Sequence, residues 1–133
     1  MNVKDRIGVL KTLQQKADKL HRDDKPQECE HATTRIYALL RQAWERGVEE
    51  VLLNEVVERM RNSIQTLRAI KLSDITPKDC DELEAGMTKC SKWEGGHDHA
   101  PAESAPFPTP DDLKKDIEAL ESWVSEIRKR RNK

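Results

Sequence analysis

Apolar residues recur at steps of three and four through almost the whole chain, and this spacing constrains the fold more than any other feature. Val3, Ile7, Leu10, Leu13, Ala17 and Leu20 form the first stripe. Ile36, Leu40, Trp44 and Val48 form the second, continued by Leu53, Val56, Met60, Ile64 and Leu67. Cys80, Leu83, Met87 and Cys90 form a third, and Leu113, Ile117, Leu120, Trp123, Val124 and Ile127 a fourth. Such spacing places each set on one face of an α-helix. No isolated stripe is stable in water, so the stripes must bury one another. The expectation is an all-α fold, a helical bundle or long helical hairpin of four to five helices in a single domain over residues 1–133.

Start and stop signals divide the chain. A first helix is expected over 1–22, ending near HRDDKPQE, where Pro26 suits the first turn of the next helix. Residues 26–70 hold no further proline and read as one long helical region, which unbroken would span about 65 Å. Gly47 inside it costs up to about 1 kcal/mol and marks a place for a bend or break. The block VEEVLL just beyond is apolar enough to expect burial on more than one side. Arg41 with Glu45, Arg46 with Glu50, and Glu55 with Arg59 stand four apart and lend weak surface support. Thr76 and Thr109 each precede a proline and acidic residues, the signature of a capped helix start. Helices are therefore expected over 77–93 and 110–131, separated by a Gly/Pro loop over 94–109 that holds Gly95, Gly96, Pro101, Pro106 and Pro108.

Composition narrows the function classes. Charged residues make up 37% of the chain and apolar ones 35%, which suits narrow seams between helices better than a thick core. A formal charge of −1 gives no chain-wide basic field for nucleic acid. No apolar run is long enough to cross a membrane, the charged N-terminus lacks a signal-peptide core, and the odd cysteine number fits a reducing cytoplasm. The chain has neither a GxxxxGK[ST] phosphate loop nor GxGxxG, so nucleotide turnover by this chain alone is not expected. No Ser/His/Asp or activated-cysteine signature stands out either, and the chain leans away from being an enzyme.

One stretch carries potential chemistry: MTKCSKWEGGHDHAPAESAPFPTP. Cys90, His97, Asp98 and His99 are suitable ligands for zinc or another divalent ion, and Cys80 could complete a two-Cys, two-His set. The cysteine spacing differs from that of a short zinc knuckle. The competing expectation, which we favour, is a polar loop whose His97 and Asp98 bond backbone or a charged neighbour, beside a Trp93 packed at the end of its helix. Cys29-Glu30-His31 reads as a solvated helix start, and Trp44 and Trp123 as core residues rather than a base-stacking platform. The closing RKRRNK suits the negative end of a helix dipole.

Three long strings carry a resemblance. LLRQAWERGVEEVLLNEVVERMRNSIQTLR, DELEAGMTKCSKWEGGHDHAPAESAPFP and DDLKKDIEALESWVSEIRKRR resemble the C-terminal region of bacterial SMC-like, coiled-coil AAA-family ATPases, which are associated with phage defence and mobile elements. The likeness covers about residues 26–131, and the ATPase head of that family is absent from this chain. It implies an accessory role beside an ATPase, with the chain a free-standing relative, half of a split system or a fragment. It also draws attention to Cys90, Trp93, Gly96, His97 and Asp98 as one string.

The expected function is a helical protein–protein interaction module that docks on an SMC-like ATPase chain or pairs with itself through the Val3–Leu20 seam. The alternative is a metal-dependent nuclease or effector using the His97–His99 loop. A second alternative is a small nucleic-acid binder using RKRRNK with Arg41, Arg46, Arg59 and Arg61.

Overall fold

Four helix starts set the frame, and three of them are closed by side chains. In the computed structural model, which describes residues 1–53, 74–95 and 106–131, Asn2 caps helix α1 (Val3–Arg22) by accepting the Asp5 amide at 2.7 Å. Helix α3 (Pro77–Glu94) opens with a reciprocal capping box: Thr76 Oγ1 accepts the Asp79 amide at 3.1 Å, and Asp79 Oδ2 accepts the Thr76 amide at 2.9 Å. Helix α4 (Pro110–Arg131) repeats the device with Thr109 and Asp112 at the same two distances, 3.1 and 2.9 Å. Helix α2 (Pro26–Gly47) has no side-chain cap and relies on the proline in its first turn.

The turn between α1 and α2 is tight. Asp24 takes a left-handed φ of 56°, and the Asp24 and Lys25 amides donate back to the His21 and Leu20 carbonyls. This is the Schellman arrangement with aspartate in the position that glycine usually fills.

The long region expected over 26–70 is interrupted where glycine occurs. α2 ends at Gly47 and the chain widens into a π-helix over Val48–Leu53; residues 54–70 of that expectation lie outside the described residues. Gly47 is buried, and a Cβ there would meet the Trp123 ring at 3.3 Å, Leu120 at 3.6 Å and Val3 at 3.7 Å. The break falls where α1 and α4 press closest on α2. Burial of VEEVLL is partial: Val51 and Leu52 are buried, but Leu53 is 51% exposed, a correction to the all-round burial expected of it.

Long-range contacts fix the topology. Cys29 Sγ donates to the Ala17 carbonyl (3.5 Å), while the Val3 amide at the other end of α1 donates to Glu50 (3.2 Å), so α1 and α2 run antiparallel. Tyr37 meets Asp116, Trp44 meets Trp123 and Glu50 meets Arg128, so α2 and α4 run parallel. Arg41 reaches Glu94 while Trp44 lies against Gly86, which sets α3 antiparallel to α2. Among the described residues the result is an all-α helical bundle of four α-helices with no strand, and no helix there is long and apolar enough to cross a membrane.

The four stripes meet in one core. Val3, Ile7, Leu10 and Ala17 of the first seam are buried within the single chain, against α2 and α4, with Leu13 packed at its edge. At the centre the Trp44 and Trp123 rings stand edge to face, centroids 5.3 Å apart, both nearly inaccessible to water. Trp123 Nε1 donates to the Asp79 carbonyl at 3.0 Å, which satisfies the indole inside the core and ties α4 to the first turn of α3.

Candidate functional site

Of the proposed metal ligands, Cys90 and Cys80 lie in described positions; His97, Asp98 and His99 fall outside the described residues. Cys90 is 1% exposed on α3. Burial pushes its thiol up to about 12, helped by the negative charges of Asp116 and Glu94 and only partly opposed by Arg41 and Lys89. Cys80 was placed by its spacing on the apolar face of the same helix; the structure corrects this and exposes it. The inward face of α3 passes through its neighbour Asp79, which is buried, and on through the partly buried Leu83 and Met87, so Cys80 lies off that face. No group of three or more His, Cys, Asp or Glu among the described residues could hold a metal ion.

Cys90 instead borders a cleft of about 290 Å³ between α2, α3 and α4, walled by Tyr37, Trp44, Gly86, Lys89 and Asp116. The polar groups there are engaged with one another. Tyr37 Oη donates to Asp116 at 2.5 Å, and Lys89 Nζ stands 2.9 Å from the same carboxylate. Burial, reinforced by the bond to Asp116, raises the Tyr37 hydroxyl far above the ordinary phenol range, so it holds its proton at any physiological pH. This triad bridges three helices. With the phenol locked protonated and the carboxylate already bonded twice, it is arranged for cross-linking rather than proton transfer.

The second cluster gathers at the opposite end of α4. Arg130 Nη2 donates to Asp79 Oδ2 at 2.6 Å, Arg131 Nε donates to Asp74 at 2.9 Å, and Arg128 Nη2 donates to Glu50 at 3.2 Å. The Arg131 side chain is 3% exposed, and its guanidinium also donates to the carbonyls of Val51 and Leu52 in the π-helix. Burial pushes the Asp79 carboxyl up, but the Thr76 amide and the Arg130 guanidinium outweigh it and hold the group below its ordinary value.

Spacing alone misses this network. The partners lie 51 to 80 residues apart, and the local signal in RKRRNK is only its suitability for a helix end. Arg41 and Arg46, considered for phosphate contacts, are likewise turned inward along the surface: Arg41 pairs with Glu94 (2.6 Å) and Glu45 (3.5 Å), and Arg46 with Glu49 (3.5 Å) and Glu50 (3.6 Å). Arg59 and Arg61 lie outside the described residues.

One further correction concerns a thiol, and one expectation about a ring is met. Cys29, expected in a solvated helix start, is buried by its bond to the Ala17 carbonyl, whereas its neighbour His31 is exposed. Trp93 packs at the end of α3 as expected, edge to face with Phe107 from the segment before α4, centroids 5.3 Å apart. Comparison of the chain with known protein families, with curated proteins and with solved structures finds no match.

Proposed function

We propose that this chain is a helical protein–protein interaction module acting beside an SMC-like AAA-family ATPase, in phage defence or DNA maintenance. The observation that supports it most is how the chemistry-bearing side chains of the two clusters among the described residues are engaged. Tyr37, Asp116 and Lys89 bond one another, Cys90 is buried, and Arg128, Arg130 and Arg131 face carboxylates of the same chain. Groups committed to holding helices together are not available for turnover, and a chain built this way offers a partner shape and surface charge. The resemblance in the strings around Trp44, Cys90 and Trp123 directs the choice of partner toward the ATPase.

Affinity capture of the tagged full chain from its native host, with mass spectrometry, tests the reading. Enrichment of an SMC-like ATPase, lost when the bait is unfolded by heat before capture, is the expected result. Recovery of no ATPase together with strongly salt-dependent binding to DNA would reverse it.

A further inference from the structure

On the outer side of the bundle, α1 and α4 leave a hollow that the core does not use. It measures about 510 Å³, with Ile7, Gly8 and Val124 as its floor. A Cβ placed on Gly8 would meet nothing within 4 Å, so α1 is dented at that point. Through Lys4 and Gly8 the hollow runs on into a second depression on the outer face of α1, bordered by Val9, Thr12 and Leu13. Val9 is 44% exposed, one of the few large apolar side chains left open to solvent among the described residues.

The rim carries a definite charge. Lys4, Lys11, Lys16, Arg128 and Lys129 stand against Asp5 and Glu121 around the two depressions. Lys11 already meets Glu121 at 2.6 Å and Arg128 meets Glu50 at 3.2 Å, and the balance that faces outward is positive. An apolar trough with a dent at a glycine admits a helix at close range, since the missing side chain lets one large residue of the partner enter. A positive rim selects a partner with acidic flanks.

We infer that this α1–α4 groove is the docking surface of the module, and that its occupant is an amphipathic helix of a partner protein with a large apolar residue over Gly8 and Asp or Glu along its edges. The inference rests on the interaction reading given above. Nucleic acid fits the surface less well: the floor is apolar, and Asp5 and Glu121 sit in the same rim, where they would repel phosphate.

Two synthetic helical peptides of about 20 residues test it, sharing a leucine stripe but flanked by Glu in one and by Lys in the other. Titrated into the full chain, the acidic peptide should bind at least about tenfold more tightly than the basic one, and should weaken as salt is raised. Its amide shifts should centre on Gly8, Val9 and Ser125. Gly8→Leu adds a side chain whose Cβ meets nothing within 4 Å, and should weaken the acidic peptide about tenfold, as should Lys4→Glu with Lys129→Glu. Equal affinity for the two peptides, or an unchanged affinity in Gly8→Leu, overturns the groove while leaving the interaction reading to its own capture experiment. So does displacement of the acidic peptide by a DNA duplex at the same concentration, or a chain dimer that Gly8→Leu dissolves, because either names a different occupant.

Discussion

Two glycines inside helices, Gly8 on α1 and Gly86 on α3, carry the same helix-propensity cost of about 1 kcal/mol and stand in opposite surroundings. At Gly86 a Cβ would lie 2.5 Å from two carbons of the Trp44 ring and 2.8 Å from its nitrogen. The glycine there lets the largest core side chain lie directly on the backbone of α3, so burial of the indole offsets the local cost. At Gly8 there is open space, and nothing among the described residues offsets it. Beside Gly86 the Trp44 ring occupies the space that a side chain would take, whereas beside Gly8 that space is open.

The largest expected effect tests the closed side. Trp123→Ala removes the ring that meets Trp44 edge to face and leaves the Asp79 carbonyl without its indole donor. It should destabilise the bundle by about 3–5 kcal/mol, read from the urea midpoint. A loss below about 1 kcal/mol would mean that the tryptophan pair does not organise the core.

Next comes Asp79, whose carboxylate accepts the Thr76 amide at 2.9 Å in the capping box of α3 and pairs with Arg130 at 2.6 Å. Asp79→Ala should cost about 2 kcal/mol, combining a lost cap with an ion pair weakened by the partial exposure of Arg130. Because the folded state holds this carboxyl below the ordinary aspartate range, its contribution is present above that range and is lost as pH falls through the folded value. The wild-type chain should therefore lose stability on acidification more steeply than Asp79→Asn. Parallel acid titrations of the two proteins would contradict the assignment.

Smaller again is Gly86→Ala, where the gain in helix propensity is overcome by the clash with a rigid ring. A net loss of about 1–2 kcal/mol is expected by thermal or urea unfolding. Gly8→Ala should do the reverse and raise stability by about 0.5–1 kcal/mol, since the added methyl meets no neighbour. If the two substitutions move the urea midpoint in the same direction, the contrast between the two contacts is not real.

Helix starts were the most legible feature of the sequence. Thr76 and Thr109 act as the caps that their TP-plus-acid contexts predict, because a cap is made by atoms three residues away. Asn2, which has no such flanking context, caps α1 unannounced. Trp44, Trp123 and the fourth stripe were readable as core from spacing alone. Cys80 and Cys29 differ from expectation because local sequence leaves the covered side of a helix end undefined: the inward face of α3 passes through Asp79 beside Cys80, and α1 covers Cys29 at the start of α2.

By itself, then, the sequence determined what is local or periodic: the all-α class, the positions of the caps, the weak point at Gly47, and the faces turned inward. Tertiary structure alone decided the pairing of distant groups. That RKRRNK meets Glu50, Asp74 and Asp79, that Tyr37 finds Asp116, and that Gly86 is filled by a ring while Gly8 stays open all depend on which helices lie side by side. A helix period is set within about four residues by backbone hydrogen bonding, and any chain segment reports it. Contacts between residues more than fifty positions apart follow from how four stripes of similar composition divide their burial among one another, a choice made only when the bundle closes.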